Sequence, residues 1–473
     1  MSRDSVRLAF LIAALNDLDI LGADIGNAYL NSFTTEKVLS VCGLEFGQDY
    51  LGHFAIITQA LYGLKSSGAA WRNTLAGTLS DLGFSSTLAD PDVWIRPAVK
   101  MNGHHYYEYI FVYVDDLLVL SEQPNVIMQG VGQAYRLKEG SVARPTTYLG
   151  AQIKEHRLAD NPSKVVWSIS AEKYLKEAIR VVVLDLGKLD RRLPGNVPTP
   201  LSSGYRPELD VSAIIDDERT NWYQRLIDIL RWAVELGCID IHFSVAVLAQ
   251  YLAQPRSGHL EQVFCLFAYL KAHMRSRIIL DDDRPVVDET RFLPADWSAF
   301  YPEAAESIPL NSPEPRGASV IILCFVDADH AGNRVARRSH TGVIIFCNHA
   351  PIQWFSKRQN TVETSTFGSE FIAACIAGEL IEALWYKIRM FGVPIDGPAN
   401  EYCDNNGVVV NSARPESTLK KKHNAIAYPR VREAAAAGTI CIAKEDTKTN
   451  IADLLTKSLP GLRLKELCLC VLF

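Results

Sequence analysis

The chain has 473 residues and a formal net charge of −6, room for about two to four domains. Its 48% hydrophobic and 22% charged residues are ordinary for a globular protein. The negative balance excludes a uniformly basic nucleic-acid binder, so any such role rests on local basic patches. The ten cysteines include no C-x-x-C pair, which argues against a disulfide frame or zinc finger and fits reduced thiols.

In chain order, residues 4–20 read as an amphipathic helix. Its apolar run is too short for a membrane span and is followed by acids, unlike a signal peptide. Leu21 to Leu30 reads as a strand entering a loop, with Asp24 near its end. Taken alone, Asp24 also fits a turn or capping acid. Val38 to Phe46 and His53 to Thr58 are short strands. Ala-Leu-Tyr-Gly-Leu-Lys at 60–65 leads into a helix through Trp71, Leu75, Leu79 and Leu82.

The stretch Tyr106 to Ser121 organises this half. Tyr107, Tyr109, Phe111 and Tyr113 alternate with Ile110, Val112 and Val114, the pattern of a strand covered on both faces. Asp115 and Asp116 interrupt it before the apolar run Leu117 to Leu120, with no Gly or Asn at the turn. Adjacent carboxylates between buried strands repel, and burying them unpaired is costly. A hard divalent cation would neutralise them; a solvated hairpin turn is the plain alternative. A helix is predicted over Ala171 to Val181, and residues 190–220 read as loop. Helices between 221 and 275 carry aromatic residues read as core. The acidic, proline-rich segment 281–317 reads as a linker.

After it a βββαβ-like order begins. Val320 to Val326 leads into Asp327-Ala328-Asp329-His330-Ala331-Gly332. Strands follow at Thr341 to Cys347 and Pro351 to Phe355, then a long helix, Thr364 to Met390, carrying Glu370. A strand Asn400 to Cys403 runs into Asp404, another covers Thr439 to Ala443, and Asn450 to Asp453 opens a final helix. Singly, these acids fit turn, surface or capping roles. Arg334, Arg337 and Arg338, Lys357 and Arg358, and Lys420 to Lys422 with His423 form basic clusters that suit either a solvated face or phosphate contacts.

Asp-x-Gly-x-Ala-Tyr at 24–29, Ala-Leu-Tyr-Gly-Leu-Lys at 60–65 with Trp71, and Tyr-Val-Asp-Asp at 113–116 together resemble the reverse transcriptases of copia-type LTR retrotransposons. Tyr148-Leu149-Gly150 and the helix after it resemble the end of the palm and start of the thumb. V-D-A-D-H-A-G at 326–332, W-F-S-K-R-Q at 354–359 and C-D-N-N at 403–406 resemble the ribonuclease H of the same elements.

The resemblance implies an α+β chain. It divides into a reverse transcriptase at 1–195, a helical connection at 196–280, a linker at 281–317 and a ribonuclease H-like domain at 318–473. It implies catalytic, metal-binding acids in two sets: Asp24, Asp115 and Asp116 for polymerisation, and Asp327, Glu370, Asp404 and Asp453 for hydrolysis of the RNA strand of RNA–DNA hybrids. Each set would hold two magnesium ions, with manganese as a substitute. Tyr29, Lys65, Tyr113, Arg338, Lys357, Lys422 and His423 become candidate substrate contacts. The implied partners are an RNA template, a DNA primer, RNA–DNA hybrids, dNTPs and other retroelement proteins. No membrane is involved, and the implied location is a cytoplasmic particle or the nucleus.

The pattern also departs from the family. Ser66, Gly68 and Ala69 stand in place of Gln and Pro-Arg, and His330 in place of Trp. Gly368 replaces a common Glu, and Ala425 and Pro429 replace Asp and His. Pro429 is expected to delay or kink its helix. Little chain precedes Asp24, so the sequence reads as an N-terminally truncated carboxyl end of a polyprotein. The alternatives are an inert relic that at most binds nucleic acid, and an unrelated metal-dependent nuclease.

Overall fold

The computed structural model describes residues 1–157, 164–195, 197–293, 295–418 and 427–473. Two compact units emerge. The first comprises 1–145 with 313–318 and 389–393, and the second comprises 146–312, 319–388 and 394–473. The division therefore falls at Pro145–Thr146, upstream of the expected boundary at 195, and the segment read as linker is not uniform. Within the first unit, the Tyr107 hydroxyl donates to the Glu314 carbonyl (2.9 Å). Within the second, the bridge Phe292–Ala443 ties the same stretch to a sheet edge.

The first unit opens with α1 (Arg3–Leu15), capped by the Ser2 hydroxyl, which accepts from the Ser5 amide. Its sheet runs in the order β1 (Asp19–Asp24), β7 (Asp116–Ser121), β6 (His105–Tyr113), β5 (Val93–Val99), β4 (Ser85–Ser86), and every pair is antiparallel. Two helices, α2 (Ser67–Asp81) and α3 (Pro124–Ala134), cover one face. Trp71, Leu75, Leu79, Ile127 and Val131 pack there against Ile110, Val112, Leu117 and Val119. The alternation along β6 is what lets a single strand feed this core while its other side is also covered. A separate hairpin, β2 (Phe33–Val41) and β3 (Phe54–Gln59), carries the two expected strands, the first shifted toward the N-terminus because Leu44–Phe46 turns as a 3₁₀ helix.

The second unit holds two sheets and a helical layer. An antiparallel sheet orders β11 (Arg277–Leu280), β10 (Val165–Ser170), β9 (Ala151–Arg157), β8 (Thr147–Tyr148). Around it lie α4 (Glu172–Lys188), α5 (Asp217–Glu235), α6 (His242–Leu248) and α7 (Ser257–Ala272).

The other sheet orders β14 (Ala350–Arg358), β13 (His340–Cys347), β12 (Ile322–Asp329), β15 (Ala399–Cys403), β16 (Ile440–Lys444). Its first three strands are antiparallel and its last two parallel to β12, the expected βββαβ order. The crossover between β14 and β15 contains α8 (Thr366–Met390), followed after β15 by α9 (Asn406–Ala413) and α10 (Ala427–Ala436). Pro429 sits in the first turn of α10, where a missing N–H is tolerated, so the helix starts there without a mid-helix kink. Asp453 lies in a short 3₁₀ turn, Ile451–Leu455, rather than in a regular helix, and α11 (Gly461–Cys468) follows it. Lys420, Lys421, Lys422, His423 and Ala425 lie outside the described residues. No described helix is long and apolar enough to cross a membrane.

Candidate active sites

In the first unit the hairpin between β6 and β7 pairs Tyr113 with Asp116 across a two-residue turn, Val114–Asp115. Such turns usually need Gly or Asn because the chain must enter the left-handed region. Here Val114 takes that conformation, with φ +59°, an uncommon state for a β-branched residue. The turn is tied down from α2, where the Trp71 indole N–H donates to the Val114 carbonyl (2.6 Å).

Antiparallel register sets Asp24 at the end of β1 opposite Asp116 at the start of β7. The Ile25 amide donates to the Asp115 carbonyl (2.9 Å). The three acids thus meet at one end of the sheet. Desolvation raises the pKa of Asp116, and the charges of Asp115 and Asp24 raise it further. Lys138, absent from the sequence-based candidates, is their counter-charge. Its Nζ lies 2.6 Å from Asp24 Oδ2, and the acids around it raise its pKa, led by its hydrogen bond to Asp24. Asp24 Oδ1 is buried with no hydrogen-bond partner among the described residues, a hard oxygen of the kind magnesium takes.

Tyr29 lies half-buried, its ring centroid 4.5 Å from that of Tyr62. Lys65 and Tyr113 are exposed. At one position of departure from the family, the Ser66 amide donates to Glu36 Oε1 (2.7 Å).

In the second unit Asp327 near the end of β12 is buried, at 1% exposure. The Thr456 hydroxyl hydrogen-bonds to its Oδ2. Lys457 Nζ bridges Asp327 Oδ2 (3.1 Å) and Asp453 Oδ1 (2.6 Å). Glu370 on α8 has its pKa pushed up to about 9, by burial first and then by Asp327 and Asp404; its Oε2 is buried without a partner. Desolvation also raises Asp404 and Asp453, and Asp327 adds to both shifts. Ligand atoms of Glu370, Cys403 and Asp404 lie within 4.8 Å of one another.

All four predicted acids therefore gather in one place. Asp329, two residues beyond Asp327 on the same strand, joins them, and its pKa is raised chiefly by burial. A period of two along β12 was its sequence signal. For Lys457 the signal was its spacing of four from Asp453; Lys138 had no local signal. His330, where the family has Trp, approaches the Ser369 hydroxyl through Nδ1 (3.2 Å). Arg338 is half-buried and Lys357 exposed. The donor sets suit a hard cation, since both are rich in carboxylate oxygen and each keeps one buried, unpartnered oxygen.

Residues 1–174 match the family model described as reverse transcriptase (RNA-dependent DNA polymerase). Nearly the whole chain aligns with curated Pol relatives. It is 23% identical over 460 residues to the retrovirus-related Pol polyprotein from transposon RE1 of Arabidopsis thaliana, covering 96% of this chain and 27% of that one. It is 24% identical over 473 residues to the Pol polyprotein from transposon TNT 1-94 of Nicotiana tabacum, covering 98% and 31%. Along nearly its whole length the chain is similar to copia-type retrotransposon Pol polyproteins.

The chain spans less than a third of the length of those two relatives. It is also 22% identical over 359 residues to the putative transposon Ty5-1 protein YCL074W of Saccharomyces cerevisiae, covering 74% of this chain and 97% of that one. Among solved structures, a ribonuclease H domain from Mycobacterium tuberculosis, fused to maltose-binding protein, aligns with 32% of the chain and 98% of its own. That alignment has 13% identity and a TM-score of 0.23. The chain thus joins a segment that matches the reverse transcriptase family model to a mixed five-stranded sheet with a helical crossover.

Proposed function

We propose that this Pol region is an RNA-directed DNA polymerase joined to a ribonuclease H that hydrolyses the RNA strand of RNA–DNA hybrids. The observation that carries the reading is the gathering of distant acids in both units. Asp24 faces Asp116 across β1 and β7, and Glu370 feels both Asp327 and Asp404. Repelling carboxylates with buried, unpartnered oxygens are the expected resting state of a cation site.

Asp24, Asp115 and Asp116 would hold magnesium, or manganese, in the first site, and Asp327, Glu370, Asp404 and Asp453 in the second. When bound, the metal supplies charge stabilisation at the phosphoryl oxygens and an activated oxygen nucleophile. The chain's own groups orient the substrate. Tyr29, braced by Tyr62, offers a wall for the sugar of an incoming dNTP. Exposed Tyr113 and Lys65 face the template and primer, and Arg338 and Lys357 meet phosphates of the hybrid. Such cationic contacts weaken steeply with salt. The hybrid is recognised by shape and 2′-hydroxyls rather than by base sequence.

The test is magnesium-dependent cleavage of an RNA–DNA hybrid by the chain and by Asp404→Asn, alongside primer extension on an RNA template by the chain and by Asp116→Asn. Loss of each activity in its variant supports the reading, and equal activity overturns that half. The replacements at Ser66, Gly68 and Ala69 favour a second reading, an inert copy that only binds nucleic acid. Hybrid binding with neither cleavage nor extension would establish it.

A further inference from the structure

Beside the second acid cluster lies a cavity of about 380 Å³, within the range of small-molecule sites. It is formed inside the second unit by the segment after Leu201, by α6 and its exit, and by the β13–β14 hairpin. Tyr205, Arg206, Tyr251, Arg338, Arg358 and Lys457 line it. Lys457 also touches Asp327 and Asp453, so the cavity is contiguous with that cluster.

Its charge is unbalanced. Three guanidinium groups, Arg206, Arg338 and Arg358, face two acids, Glu208 and Asp329, while Lys457 is engaged by Asp327 and Asp453. The Asp329 carboxylate lies so close to Gly332 that a Cβ there would meet Oδ2 at 1.8 Å. Arg206 Nη1 donates to the Gly332 carbonyl (3.2 Å), and its charge also acts on Asp329. Among the described residues, neither Arg338 nor Arg358 has a carboxylate partner. The two sit at one end of the same hairpin, since Arg358 stands opposite His340 and Arg338 is two residues before it. Unpaired guanidinium forks converging in a partly enclosed space are suited to an anion with several acceptor oxygens, and a phosphate matches them bidentately.

The remaining wall is aromatic and held in place. The Tyr205 hydroxyl donates to Asp210 Oδ2 (2.5 Å), and the Tyr251 ring lies 4.1 Å from that of His259. Fixed aromatic faces beside cations are what a nucleic-acid base stacks on.

We propose that this cavity is a nucleotide subsite, with the phosphate between Arg338 and Arg358 and the base against Tyr205 and Tyr251. The shared chemistry is a nucleoside phosphate, either free or at the 5′ end of an RNA strand. Only the second source rests on the functional reading above.

The test is calorimetric titration of the full chain, in chelator, with adenosine 5′-monophosphate, adenosine, inorganic phosphate, and a ribonucleotide pentamer with or without a 5′-phosphate. The monophosphate should bind about tenfold or more tighter than adenosine or phosphate, and Arg358→Ala should weaken it by about tenfold or more. Val247→Trp, which fills the cavity without removing charge, should do the same and serves if Arg358→Ala fails to fold. A pentamer that binds tighter with its 5′-phosphate than without, and tighter than the monophosphate, assigns a strand end; parity with the monophosphate assigns a free nucleotide. Binding of the monophosphate no tighter than adenosine, or unchanged in folded Arg358→Ala and Val247→Trp, overturns the proposal. Binding in chelator is read separately from the magnesium-dependent cleavage assay, so nucleotide binding by a chain that fails that assay would refute only the enzymatic reading. Cleavage without nucleotide binding would refute only the subsite.

Discussion

The Lys138 ammonium lies 2.6 Å from the Asp24 carboxylate, across 114 residues of chain. The contact forms because residues 137–143 run along the free edge of β1. Bridges join Ile25 to Leu137 and Gly22 to Ala143, and the Lys138 amide donates to the Asp24 carbonyl (2.8 Å). A lysine thus stands beside three acids that repel one another, much as a cation would.

Lys138→Met should therefore lower the melting temperature in chelator and increase the stabilisation that magnesium gives, because the metal then supplies the missing positive charge. Melting curves with and without magnesium check this. An equal magnesium shift in both proteins would show that Lys138 does not share the acids' charge.

Lys457 bridges two carboxylates, one of them almost fully buried. Lys457→Met leaves Asp327 without its ion-pair partner. Removing one member of a buried pair is strongly destabilising. With the ammonium one-third exposed, we expect a loss of about 2 kcal/mol, partly restored by magnesium. Denaturant midpoints measure it.

Glu401 on β15 is fully buried, and among the described residues neither carboxylate oxygen has a hydrogen-bond partner. Burial pushes its pKa from 4.5 up to about 8. The folded state then binds the proton more tightly than the unfolded state. Its contribution to stability is present below pH 4.5 and is lost as pH rises through about 8. Glu401→Gln should flatten that dependence and raise stability at pH 9 by on the order of a few kcal/mol. Urea midpoints at pH 5 and pH 9 test it, and parallel pH profiles would contradict it.

Gly342 on β13 admits no Cβ. One would meet Leu455 Cβ at 2.8 Å and the Ala452 carbonyl at 2.9 Å, both in the turn that carries Asp453. Gly342→Ala should cost about 1–3 kcal/mol through overpacking. It should also reduce hybrid cleavage by shifting Asp453. Denaturation and a cleavage assay on the same preparation separate the two effects.

Val114 holds a left-handed turn that favours glycine. Val114→Gly relieves about 1–2 kcal/mol of backbone strain but frees more conformations in the unfolded chain. Stability should change little, whereas primer extension should fall as Asp115 loses its fixed position. Unchanged extension would show that the strained turn has no part in placing the acids.

The order of strands and helices, and the acids at their ends, were legible in the chain because they rest on local periodicity. Alternation marked β6 and long apolar spacing marked α8, with Glu370 on that helix, while Asp24, Asp115, Asp116, Asp327, Asp404 and Asp453 stand at or near the ends of elements. Alternation also carried a limit. It ran on through Val114, where the chain turns instead, because the two-residue connection is set by pairing between β6 and β7 rather than by side-chain period. The counter-charges were illegible for a related reason. Nothing near Lys138 refers to Asp24, and residues 204–208 read only as loop until packing set them beside Arg338 and Arg358. Local chemistry decides which segments can be strands or helices. Only long-range strand register and helix packing decide which charges meet, because charges brought together from distant segments interact through space and leave no periodic trace along the chain.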